Sequence, residues 1–89
     1  MNEDEPEDAR IARETIFEVI ENQIASGTPP ATEQTRDRLV AEGYSKDEAM
    51  RLIGCVLADE LFRVMRDEGE YDEARYIEAL HALPRLPWD

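Results

Sequence analysis

"RLIGCVLADELFRVM", residues 51 to 65, decides the fold of this chain. At about 100° per residue, Leu52, Ile53, Val56, Leu57 and Val64 fall on one side of a helix, while Cys55, Ala58, Leu61, Phe62 and Met65 cover much of the other. A helix apolar nearly all round is a central one. The stretch therefore predicts a hub with further helices packed around it, in an all-α bundle of about four helices.

Two residues look out of place in that hub. Gly54 costs roughly 1 kcal/mol in a helix interior, a loss offset if Gly54 and Ala58, four apart, make a notch that another helix backbone approaches. The first helix is the preferred occupant, a second copy of the chain the alternative. Glu60 lies seven residues after Ile53 and four before Val64, on the apolar stripe itself. A buried carboxylate there would need a partner or be pushed toward its neutral form. The preferred reading turns the stripe along the helix and leaves Glu60 at its rim, beside Arg63 or an arginine of the first helix.

Outward from the hub, local signals mark the remaining helices. Ser45 precedes Glu48 by three residues, a capping box, with Tyr44 and Ala49 as its staple; this starts the long helix, which runs to about Glu68 and stops at Gly69. Asp72 caps the last helix, stapled by Tyr71 and Tyr76, with Ala74, Ile77, Leu80 and Leu83 as its buried positions and its end before Pro84. In the first helix Ala12, Ile16, Val19, Ile20 and Ile24 recur at threes and fours with Phe17 at the edge, and "SGTPP" closes it after about Ala25. "ATEQTRDRLVAEG", residues 31 to 43, has few apolar anchors and predicts a short, weakly amphipathic helix.

The two ends differ from this pattern. Residues 1–8 hold five acids and nothing to bury, which predicts a disordered arm ahead of one helical domain over 9–89. "LPRLPWD" predicts an extended tail. Leu86 and Trp88 are expected to fold back onto the small core, in preference to a polyproline ligand at Pro84 and Pro87.

Composition limits function. Twenty-two acids against ten bases give a net charge of -12, which repels phosphate backbones and anionic membranes. One cysteine, Cys55, cannot close an internal disulfide, and neither a signal peptide nor a membrane-spanning run is evident, so a cytoplasmic protein is expected. His81 is the only histidine, and no phosphate loop, CxxC pair or HExxH occurs. The chain is expected to be no enzyme, with no cofactor, nucleic-acid, membrane or small-molecule ligand. No residue is put forward as catalytic or metal-ligating; the candidate interaction or packing residues are Gly54, Ala58, Glu60 and Trp88.

Residues 39 to 53, "LVAEGYSKDEAMRLI", resemble the helix, Gly-aromatic loop and helix of ubiquitin-associated domains, a likeness that implies ubiquitin contact at that loop. More broadly, "FEVIENQIASGTPPATEQTRDRLVAEGYSKDEAMRLIGCVLADELF" through "DEARYIEALHAL" is similar in order and spacing to a bacterial all-helical family of unknown function. Members carry histidines on the first helix and near the start of the long one, suggestive of metal; Arg13, Phe17 and Arg51 stand in the corresponding region here. The resemblance thus implies the bundle without the metal. Two functions are expected from different classes: an interaction module, monomer or homodimer, that binds a basic-rimmed protein partner through an apolar groove bordered by acids; or a catalytic or metal-dependent role centred on Glu60, helped by Asp59 and His81.

Overall fold

The structure, a computed structural model, describes the backbone of residues 7–67 and 69–89 and the side chains of 12–66 and 69–89. Four helices follow one another: α1 (Glu7–Ser26), α2 (Pro30–Ala41), α3 (Lys46–Asp67) and α4 (Glu73–Ala82). No strand occurs among the described residues, and the chain is an all-α bundle. Helix α1 already includes residues 7 and 8; the rest of the expected disordered arm lies outside the described residues.

The helix ends are built as the sequence predicts. Gly27 (φ +70°) and Gly43 (φ +109°) each occupy the left-handed position past a helix end. After α1, Gly27 N–H reaches Ile24 O and Thr28 N–H reaches Gln23 O; after α2, Gly43 N–H reaches Val40 O and Tyr44 N–H reaches Leu39 O. Both are Schellman caps, which give the last carbonyls donors that the helix itself lacks. Ser45 and Glu48 form the reciprocal box at the start of α3, Ser45 N–H to Glu48 Oε1 at 2.9 Å and Glu48 N–H to Ser45 Oγ at 3.0 Å. Asp72 Oδ1 accepts Arg75 N–H at 3.0 Å, and the rings of Tyr71 and Tyr76 stand 5.9 Å apart.

Helix α3 packs on all three others, but so does α2. The hub is therefore a pair. Thr32, Thr35 and Leu39 of α2 are buried with Ala31, so a helix poor in aliphatic residues enters the core through two threonines three residues apart and a leucine four further on. Helices α1 and α4 share no backbone contact and are joined through a side chain of α1. Gln23 Oε1 accepts the Thr32 hydroxyl at 2.8 Å and the Tyr76 hydroxyl at 2.9 Å. Gln23 follows Ile16 by seven residues and Ile20 by three, and so belongs to the buried stripe; Val19 falls off it and is exposed.

The remainder of the core is Ile20, Leu39, Ala49, Met50, Ile53, Val56, Leu57, Tyr76, Leu80 and Leu83. Ala74 is exposed, contrary to expectation, because Tyr76 and Leu80 face inward from α4 instead. Arg38 ties α2 to the end of α4 by donating to Leu80 O at 3.2 Å. The tail is not extended: Arg85 N–H closes a turn on Ala82 O, and Asp89 N–H closes another on Leu86 O. Leu86 packs against the core as expected. Trp88 does not, remaining 61% exposed, since the turn at Leu86–Asp89 leaves its ring in water.

Candidate interaction surface

Glu60 sits in the core and not at its rim. Its side chain is 3% exposed, and its partner is neither Arg63 nor an arginine of α1 but Arg75 of α4. Arg75 Nε donates to Oε1 at 2.8 Å and Nη2 to Oε2 at 2.7 Å, while Asp72 N–H donates to Oε2 at 3.1 Å. The Arg75 bonds hold the carboxyl below its ordinary value of 4.5, against burial, which pushes it up; the Asp72 amide adds to the lowering. Glu60 thus fastens the first turn of α4 to α3. It stays ionised and has both oxygens committed.

A cleft of about 520 Å³ opens above this pair, between α3, α4 and the tail. In its lining Asp59 holds Arg63 at 2.9 Å, and Asp89 Oδ2 accepts Leu86 N–H at 3.0 Å. Asp59, expected as a helper of Glu60, is therefore engaged elsewhere, and His81 lies exposed on the last turn of α4. No group of three His, Cys, Asp or Glu side chains fit to hold a metal occurs among the described residues.

The other face of α3 is the second departure from expectation. Ile53, Val56 and Leu57 are buried, but Leu61 (44%), Phe62 (65%) and Met65 (74%) are exposed, so that face of the helix is open over its C-terminal half. Next to them, α1 and α3 enclose a groove of about 770 Å³ lined by Ala12, Ile16, Phe17, Gly54, Cys55 and Ala58. Gly54 is buried against α1, as preferred over a second copy. It is met by side chains and not by backbone: a Cβ there would stand 3.4 Å from Ile16 Cγ2 and 3.5 Å from Phe17 Cε1. Ala58 is half-buried on the groove floor. Burial raises the Cys55 thiol above its ordinary value and keeps it protonated.

Among the described residues, Arg13 and Arg51 complete the lining. The charged residues that line the groove among those described are these two arginines. Arg13, Phe17 and Arg51, named together from the sequence, all line this groove. Among the described residues, no helix is long and apolar enough to cross a membrane. Comparison with family models, curated proteins and solved structures found no match.

Proposed function

We propose that this chain is a small, non-catalytic protein–protein interaction module that works in the cytoplasm and binds its partner through the α1–α3 face. One observation carries the reading: Leu61, Phe62 and Met65 form an exposed apolar ridge continuous along α3 with the groove floor at Ala58. Isolated exposed apolar residues are ordinary, but a contiguous patch of a few hundred Å² marks a contact surface. Covering Phe62 and Met65 would contribute about 1.5 to 3 kcal/mol each before ordering costs. The alternative role at Glu60 is weaker, because the carboxylate is 3% exposed and three of its roughly four lone-pair sites are taken by the Arg75 guanidinium and the Asp72 amide.

Pull-down from native extract by the full chain tests the reading when run beside Phe62→Glu and Val40→Glu. Val40 is also exposed but lies on α2. Proteins retained by the parent and Val40→Glu and lost with Phe62→Glu are expected. Identical sets from all three would remove the α1–α3 face from the function.

A further inference from the structure

Helix α2 reaches all three other helices yet brings little apolar surface to them. Helix α1 sets Ile20 into the core with Ile16 and Phe17 packed against it, and α4 buries Tyr76 and Leu80. Helix α3 buries Ile53, Val56 and Leu57. From α2 the one large apolar side chain in the core is Leu39, since Val40 is 45% exposed and the other buried residues are Ala31, Thr32 and Thr35.

The rest of its hold is polar. Thr32 donates to Gln23 of α1 at 2.8 Å, and Arg38 donates to Leu80 O of α4 at 3.2 Å. Water can replace either partner once the helix leaves, so each bond adds little net stability to the seated position. Thr35 is 2% exposed and its hydroxyl pairs with no protein group among the described residues. Seating α2 therefore takes that hydroxyl out of bulk water without a protein bond in return.

The connections to α2 permit it to move. Its start at Pro29 has no side-chain cap bond, unlike the Ser45–Glu48 box of α3 and the Asp72 cap of α4. Gly27 precedes it and Gly43 follows it, each at positive φ with open space where a Cβ would stand, so the chain can rotate at both points without striking the bundle. The remaining helices keep their own contacts: α1 packs on α3 beside Gly54, and the Glu60–Arg75 fork fastens α4 to α3. What α2 closes is the gap between α1 and α4, which share no backbone contact.

We infer that α2 is a strap: it leaves and re-enters the bundle as one unit while α1, α3 and α4 stay packed, and its departure opens the core between α1 and α4. Elements with few buried apolar contacts are the ones that open below the free energy of global unfolding. The device is separate from the α1–α3 groove, whose described lining comes from α1 and α3.

Native-state hydrogen exchange of the full chain, read amide by amide by NMR in urea below the unfolding transition, tests it. An isolated helix of 12 residues is marginal in water, so the amides of α2 exchange whenever it leaves. Amides 34–41 of α2 are expected to exchange roughly tenfold or more faster than amides 53–60 of α3, and with a weaker dependence on urea, because less surface opens than in global unfolding. Glu60→Gln removes a contact that the open form keeps. It should speed amides 53–60 by roughly tenfold and leave amides 34–41 as they were.

Equal or slower exchange in α2, rising with urea as steeply as in α3, would show that α2 opens only when the whole chain unfolds and would overturn the inference. So would a Glu60→Gln variant in which both segments speed up alike.

Discussion

Glu60 and Arg75, fifteen residues apart on α3 and α4, meet fork to fork with donor–acceptor distances of 2.8 and 2.7 Å. The two ends of this pair differ in exposure, 3% for the Glu60 side chain and 44% for Arg75. Loss of the arginine leaves an ionised carboxylate in the core with one backbone donor. Loss of the carboxylate leaves an arginine that can turn to water. Arg75→Leu should therefore destabilise by about 3 kcal/mol and Glu60→Gln by about 1 to 2. Urea melts of the two variants check the order, and a costlier Glu60→Gln would show that the pair is not the main hold on α4.

Acid should undo the same contact. The Glu60 carboxyl is held below 4.5 in the folded chain by Arg75, so the unfolded state takes up the proton first. Its contribution is complete above the unfolded value and is lost as pH falls through the lower folded value. Glu48, lowered by its bonds with Ser45, acts in the same window. Stability is expected to drop below about pH 4.5. The drop should be shallower in Glu60→Gln, which thermal melts between pH 3 and 6 would reveal; parallel curves would mean that Glu60 titrates alike in both states.

At the start of α3, Ser45→Ala should cost about 1 kcal/mol, since Glu48 N–H loses its only capping oxygen. Ser45→Gly should cost less. Glu48 keeps its bond from the Ser45 backbone, the larger cause of its lowering, in either variant, so its depressed titration should persist in part while stability falls. NMR titration of Glu48 beside denaturant melts would separate the two bonds.

Gly54 yields a graded prediction. A single methyl would sit at van der Waals distance from Ile16, Phe17 and Ile20, so Gly54→Ala should be neutral or gain up to about 1 kcal/mol from helix propensity. Gly54→Leu must displace Ile16 or Phe17 and should lose about 1 to 3 kcal/mol. A destabilised Gly54→Ala would mean that α1 sits closer to α3 than these distances allow.

What the sequence made legible was local. Ser45 and Glu48, Asp72 with its tyrosine pair, and Gly27 and Gly43 each act within four residues, where spacing alone sets geometry. The misread residues depend on distant partners. Glu60 looked like a rim acid because its match, Arg75, lies across a turn. The threonines of α2 offered no apolar anchor, and the acceptor of Thr32, Gln23, belongs to another helix. The far side of α3 looked buried because periodicity shows which residues are apolar and not whether enough helix exists to cover them. Trp88 was expected to dock as the only tryptophan of a small chain, but the hydrogen bonds of the Leu86–Asp89 turn leave it exposed. The groove between α1 and α3 needed both helices in place before its lining could be read.

Gln23 gives the sharpest test of how the bundle is joined. Its Oε1 is the shared acceptor of Thr32 and Tyr76, and through it α1 meets α4 without backbone contact. Gln23→Leu fills similar space but leaves two hydroxyls in the core without that acceptor, at about 1 to 3 kcal/mol each if neither finds another. Tyr76→Phe alone removes one donor and leaves Gln23 with Thr32, for about 1 kcal/mol. If the carbonyl is the link, adding Tyr76→Phe to Gln23→Leu should recover stability, because the orphaned phenol is gone. Denaturant melts of the parent, both single variants and the double variant measure that coupling directly. Additive losses would show that Tyr76 is held by its packing and that its bond to Gln23 contributes little.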